Sequence, residues 1–325
     1  MKVTEVRLDS VNLDEETYRI SEDLDPPAIE SSLRRIGQLN PVLLHEKAAA
    51  GSVIVCGFRR LRALRRLGQA SVLARVLPAQ ATRPLETFRL AIWDNLSHRQ
   101  FQTLEIARIL FTLESTCGLP QDLLVREYLP LLGLPPHRKV LRSHLGLHAL
   151  NAGLRAQLKD SRLTLAAASR LAAKPPSQQA AFAAALSAVR LTASMQRQFL
   201  DLVEEIAVRD NRTIQEILRI PEIPHVLTDG RLSEFQKGEQ VCSILYRQRY
   251  PRISAAEARF AAEMKRLGLP GDVHLTHDRF FESPSIRVAF EVESPARFRA
   301  LAAALDEASR SEGLDALFEA SQNTA

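Results

Sequence analysis

Val55-Cys56-Gly57-Phe58-Arg59-Arg60-Leu61-Arg62 joins two periodicities. Upstream, Ser52–Cys56 is a short apolar, β-branched run that reads as a buried strand. Downstream, Phe58–Leu67 repeats its apolar residues at helical spacing and closes at Gly68. Gly57 lacks a Cβ, so the chain can turn sharply there and bring its backbone close to another group. The helix N-terminus then offers free N–H groups to an anion, and Arg59, Arg60 and Arg62 add guanidiniums suited to paired oxygens. Positive charge in a first helical turn opposes the helix dipole. A phosphate chain would offset that cost; the alternative is an amphipathic surface helix with solvated arginines.

Around this turn the first hundred residues alternate strand and helix signals. Val3–Leu8 reads as a strand. Pro26-Pro27 opens a helix with Ile29, Leu33 and Ile36 on one face and Gly37 as its stop. Pro41–His45 reads as a strand, and a turn at Ala50-Gly51 leads into Ser52–Cys56. Val72–Leu77 is a further strand and Leu85–Leu96 a helix, with Trp93 read as core. From residue 103 to about 220 the pattern is helical: Leu104–Thr116, Pro120–Leu132, Pro135 to about Leu150, Ala152–Lys159, Leu165–Ala173, then 178–188, 194–208 and Ile214–Leu218. Lys174–Gln179 (KPPSQQ) reads as a joint, and Pro221 with Pro224 as a boundary. Beyond it Leu232–Tyr246, Ala255–Leu267 and Pro295–Ala308 read as helices, with Val273–Thr276 and Ser285–Val292 as strands. The expected parts are 1–102, 103–220 and 221–325.

The 325 residues carry a net charge of +5. The charge is not evenly spread: residues 128–200 hold Arg138, Lys139, Arg142, Arg155, Lys159, Arg162, Arg170, Lys174, Arg190 and Arg197 against Asp160 alone. Such a block is the footprint of a polyanion-binding part, although solvated helix faces in an Arg-rich chain would give the same count. No apolar run approaches the roughly 20 residues of a membrane span. Acids fill the stretch where a signal peptide would be apolar, so a cytoplasmic protein with no membrane partner is expected. Cys56, Cys117 and Cys242 stand far apart, which argues against a disulfide framework or zinc ribbon. Cys56, on the strand before Gly57, reads as a buried small hydrophobe. The pairs His144/His148 and His274/His277 lack sequence-near partners for a metal site.

Two further stretches bear chemistry. In Asp94-Asn95-Leu96-Ser97-His98-Arg99 a carboxylate, an amide and an Arg lie together at a helix end, where they could hold Mg²⁺ beside an anion or simply cap the helix. The helices flanking Gly133-Leu134-Pro135 have the proportions of a helix-turn-helix. Its second helix would display His137, Arg138, Lys139, Arg142, Ser143 and His144 to the major groove of double-stranded DNA. A plain helical hairpin is the alternative.

Ile29–Leu44, Ile54–Leu64 and Asp94–Arg99, in that order, resemble the N-terminal domain of the ParB partition-protein superfamily, and Leu145–Leu171 resembles the segment after its recognition helix. The resemblance covers about residues 1–175. It implies a ParB/sulfiredoxin-like N-terminal domain and an all-helical middle domain with the helix-turn-helix; with the small α+β module of unknown role read from the C-terminal strand and helix pattern, the fold class is α+β. It also implies a pocket for CTP, or another nucleoside triphosphate, with Mg²⁺. Gly57, Arg59, Arg60 and Arg62 would match the phosphate box. Asn95 and Arg99 would match a second box, with Asp94 in place of its Glu and Asp94 and Asn95 at the metal. Gly37, Gln38 and Pro41 would line the nucleobase side, and Arg19 would match an early phosphate contact. Phe58 stands where the first box has an acid, so binding is implied more strongly than hydrolysis, and only a weak CTPase with Asp94 in a catalytic role would remain. The implied function is nucleotide-gated DNA binding in chromosome or plasmid partition, nucleoid organisation or transcriptional regulation in a bacterial cell. It comes with a homodimer; the C-terminal 150 residues look unlike the family's usual dimerising helices, and their acidic balance and α+β ending could serve self-association, a further protein partner or shielding of the basic middle. A phosphotransferase or nuclease using the same pocket, or a binding module whose pocket has decayed, are the other readings.

Overall fold

The computed structural model describes residues 1–25, 27–47, 51–79, 83–278, 281, 283 and 285–322. Pro26, expected at a helix start, and Ala50, expected in a turn, lie outside them. The chain forms two compact units, Met1–Ser187 and Ala188–Ala325, where the sequence suggests three parts.

The first unit opens with β1 (Val3–Arg7), a 3-10 turn, and β2 (Val11–Asn12). Then come α1 (Pro27–Ile36), β3 (Val42–Lys47), β4 (Gly51–Cys56), α2 (Phe58–Arg66), β5 (Ser71–Leu77) and α3 (Pro84–Leu96). The sheet order is β1-β5-β3-β4-β2. β3 pairs antiparallel with β4 and parallel with β5, while β1 closes one edge antiparallel to β5. β2 lies parallel to β4, Val11 opposite Ser52; two residues are too short to leave a period in the sequence.

β4 is apolar on both sides at Val53–Cys56 because both faces of the sheet are covered there. Val42, Leu44, Ile54, Val72 and Ala74 pack on Phe58, Leu61 and Leu64 of α2. Val53, Val55 and Leu77 face the other way, onto Phe88, Ala91 and Ile92 of α3. That second layer continues without a break into α4 (Thr103–Ser115), through Ile106, Ile109, Leu110 and Leu113. Sheet and helical segment therefore share one core across residue 102.

After α4 come α5 (Gln121–Leu123), a π-helical turn (Leu124–Tyr128) and α6 (Leu129–Leu131). The wide turn sits just before Pro130, whose ring would clash with the carbonyl four residues back in a regular α-helix. Gly133 ends this helical run at φ +76°, and α7 (Arg138–Gly146) follows. Leu124, Tyr128, Leu129 and Leu141 join the same core as α4. The unit closes with α8 (Ala152–Lys159), α9 (Leu165–Ala172) and α10 (Pro176–Ser187). Lys174–Gln179 is not a free joint. Gln179 is buried, accepts from the Asn151 backbone N–H (2.8 Å) and donates to the carbonyls of Lys174 (3.0 Å) and Ala149 (3.1 Å).

The second unit holds α11 (Ala193–Arg209), α12 (Ile214–Leu218), α13 (Glu222–Thr228), α14 (Glu234–Arg249) and α15 (Pro251–Leu267). Pro221 and Pro224 start α13 rather than mark a gap: proline is tolerated in a first turn, where its missing N–H is not needed. The hairpin of β6 (Val273–His277) and β7 (Ile286–Phe290) follows, then α16 (Pro295–Ser309) and α17 (Glu312–Gln322). Phe260 and Phe281, with Ala256 and Leu317, form this module's own core. Among the described residues no helix is long and apolar enough to cross a membrane.

Candidate functional site

At the end of β4 the chain turns through Gly57, whose φ of +101° and ψ of 21° put α2 directly after the strand. A Cβ there would lie 2.6 Å from Val42 Cγ1. The buried ring of Phe58 anchors the first turn of α2 in the sheet core. Beside the turn opens a cavity of about 170 Å³, where Gly57, Arg59 and Arg60 meet Asp94, Asn95 and Arg99 from the end of α3. Residues about 40 positions apart in sequence thus face one another.

Each cation is held in place. Arg60 Nη1 donates to the carbonyls of Asn40 (2.7 Å) and Pro41 (3.0 Å). Arg59 Nε donates to the Asp23 carbonyl at 2.8 Å. Arg99 donates from Nε and Nη2 to Asn95 Oδ1 (3.2 and 3.1 Å), and from Nη1 to Glu105 Oε2 at 2.6 Å. Arg59 and Arg60, preset by neutral carbonyls, suit an incoming anion because little side-chain freedom remains to be lost. Cys56 also lines the cavity, and its thiol is pushed far up, first by burial and then by the Asp94 carboxylate it faces, against a small opposing pull from Arg60. It stays protonated and is no nucleophile.

The other residues the sequence pointed to lie elsewhere. Arg62 points to Glu16 (3.6 Å) and Asp25 (3.8 Å). Arg19 is engaged by Glu16 at 2.5 Å and by the Ser21 carbonyl, and lines a separate cavity with Glu22, Arg108, His148 and Arg155. Gln38 clasps the backbone of Leu73, its Oε1 accepting the N–H and its Nε2 donating to the carbonyl, both at 2.8 Å. Gly37 lies with Gln38 beside β5. Pro41 meets the site only through its carbonyl on Arg60.

Three residues at the site carry no weight in the sequence reading. His98 lines the cavity beside Arg99, as does Tyr18. Glu105, buried at the start of α4, also forms a capping box with Gln102. Trp93 is 57 % exposed rather than core: it falls one residue off the 85, 88, 92, 96 stripe and so turns outward, next to Arg89 and Tyr128.

A divalent cation fits here in one way only. Asn95 spends its Oδ1 on Arg99 and its Nδ2 on the Ala91 carbonyl. Asp94 is exposed and keeps oxygens to offer. One carboxylate with water and phosphate oxygens is an ordinary Mg²⁺ arrangement, whereas a cage of protein ligands is not available from this pair.

On α7, Lys139 and Arg142 are exposed, and His137 stands exposed at the N-cap position without a side-chain hydrogen bond to the helix. Arg138 pairs with Asp122 at 2.5 Å across the two helices, and Ser143 Oγ donates back to the Lys139 carbonyl. His144 faces inward: it is 2 % exposed, with Nδ1 2.8 Å from the Val140 carbonyl, and burial pulls its pKa down. His148 stacks flat on Phe111 at 3.8 Å.

No family model and no curated protein matches the chain. Among solved structures it is similar to the C-terminally truncated chromosome-partitioning protein ParB from Caulobacter crescentus complexed with CTP-γ-S, at 23 % identity over 57 % of this chain and 99 % of that one, TM-score 0.25. It is similar to the same protein complexed to the centromeric parS site, at 21 % identity over 56 % and 89 %, TM-score 0.32. A Pnob8-like ParB-N domain matches at 12 % identity over 76 % and 97 %, TM-score 0.37.

Proposed function

We propose that this chain is a nucleotide-gated, double-stranded-DNA-binding protein of the ParB kind, cytoplasmic and nucleoid-associated. Residues 1–102 take a nucleoside triphosphate and the helices after them take DNA. The observation that carries this reading is the convergence of Arg59, Arg60 and Arg99 on a glycine turn facing Asp94. The cavity is smaller than the ~300 Å³ lower end of common ligand pockets. It suits the phosphate chain, with the nucleoside extending from its mouth, and Asp94 would hold Mg²⁺ against the phosphates. CTP is the first nucleotide to test. Hydrolysis is a lesser part of the proposal, since the buried Phe58 leaves Asp94 as the carboxylate lining the cavity.

DNA would lie on α7 through Lys139 and Arg142. The double variant Lys139→Ala/Arg142→Ala is expected to bind duplex DNA more weakly and to lower the slope of log affinity against log salt by about 2, one for each phosphate no longer neutralised. Fluorescence anisotropy from low to high salt reads this directly, and an unchanged slope would remove α7 from the interface. His144→Ala belongs to stability instead, since that ring is buried.

A homodimer through the C-terminal hairpin completes the proposal. Among the described residues β7 pairs only with β6, and Val288, Val292 and Phe298 are exposed beside it. The sequence of β7 and the three residues after it is self-complementary about Ala289: with the strand extended and antiparallel to a second copy, Arg287 would meet Glu291, Val288 would meet Phe290 and Ile286 would meet Val292. Val288→Asp is expected to convert a dimer to a monomer in analytical ultracentrifugation with its helical signal kept. A monomeric wild-type protein would end this part of the reading.

A further inference from the structure

Glu105 is a carboxylate with 2 % exposure, three residues into α4, and it does not itself line the Gly57 cavity. Yet it faces two of that cavity's guanidiniums. Its Oε2 accepts from Arg99 Nη1 at 2.6 Å and from the Gln102 backbone N–H at 3.1 Å, and its Oε1 lies 4.0 Å from Arg59 Nη2. A buried carboxylate needs such partners, because an unpaired charge out of water is costly. A phosphate needs the same donors, in the same fork geometry. Arg59 and Arg99 cannot serve both in full. The 4.0 Å approach is already longer than a hydrogen bond, so Arg59 is the partner more easily taken.

We propose that Glu105 is an internal anion that competes with the bound polyphosphate for Arg59 and Arg99, setting nucleotide affinity and passing the bound state into α4. This rests on the nucleotide reading given above. When phosphate draws the guanidiniums away, Glu105 keeps only the Gln102 N–H, and the first turn of α4 loses its anchors to the sheet domain. The same helix reaches the DNA-binding pair through its buried face, since Ile106, Ile109, Leu110 and Leu113 share a core with Leu124, Tyr128, Leu129 and Leu141. A ligand shifts such an equilibrium only by its differential affinity for the two states, and Glu105 supplies that difference here.

Glu105→Gln keeps the length of the side chain and an oxygen for the Gln102 N–H, and removes the charge. Calorimetric titration of the full chain with CTP and Mg²⁺, and separately with inorganic triphosphate, is expected to show each bound about tenfold more tightly by Glu105→Gln than by wild type. In an Arg59→Ala background the same change should shift affinity clearly less. Amide exchange in residues 103–107 of the wild type should speed up at saturating CTP, a measurement that needs no variant and stands even if Glu105→Gln fails to fold. Wild type that binds CTP with unchanged exchange there, or a folded Glu105→Gln that binds it no more tightly, overturns the competition while leaving nucleotide binding intact. Absence of binding by both proteins to both ligands overturns the two together.

Discussion

Gly57→Ala is expected to cost the protein about 2–4 kcal/mol of stability and to weaken nucleotide binding with it. The first contribution is backbone strain: a φ of +101° lies beyond the left-handed region that other residues tolerate. The second is a collision. The new methyl group would sit 2.6 Å from Val42 Cγ1 and 3.0 Å from Val42 Cβ. Val42 cannot give way easily, because it is 1 % exposed and β3 is held between β4 and β5. Relief must come from the turn itself, which carries Arg59 and Arg60. Gly68→Ala is the reference for a left-handed turn glycine without a collision, since Gly68 has a φ of +71° and open space where its Cβ would be. Urea unfolding should show Gly57→Ala losing clearly more than Gly68→Ala with an unchanged m-value. Equal losses would mean that the fit against Val42 contributes nothing.

The same turn marks how far the sequence could be read. Periodicity gave β3, β4, α2 and β5 to within a residue or two, because each has a strong apolar pattern and a glycine or proline beside it. It could not show that one core runs across residue 102: α4 has an ordinary amphipathic stripe, and only the fold reveals that the stripe joins the same cluster as Val53, Val55 and Phe88. Nor could it tell which box arginine faces the cavity. Arg59, Arg60 and Arg62 sit within one turn of helix, and steps of about 100° send Arg62 toward Glu16 and Asp25 instead. The same geometry sets His144 apart from its neighbours on α7. It stands three residues after the buried Leu141, on the inner face of α7, while Lys139 and Arg142 fall on the outer one.

That divergence among the arginines gives the sharpest test of the pocket. Arg60→Ala is expected to weaken CTP binding about a hundredfold, and Arg62→Ala by less than about threefold, although the sequence resemblance gives both residues one role. Arg60 would bring a preset fork: one arm is tied to the carbonyls of Asn40 and Pro41, and Nη2 lies 3.4 Å from where a Gly57 Cβ would be. A hydrogen bond to a charged group contributes roughly 1.5–3 kcal/mol, and about 1.4 kcal/mol is tenfold in affinity, so two such bonds to phosphate, each at the lower end of that range, account for about two orders of magnitude. Arg60→Lys keeps the charge and loses the fork, and should fall between wild type and Arg60→Ala. The unpaired carbonyls left by Arg60→Ala can take water, because Asn40 is exposed and Pro41 only half-buried, so the variant should stay folded. Calorimetric titration of the variants under one buffer reads the order. Arg62→Ala losing as much affinity as Arg60→Ala would mean that the phosphates lie over the outer face of α2 and not in the Gly57 cavity.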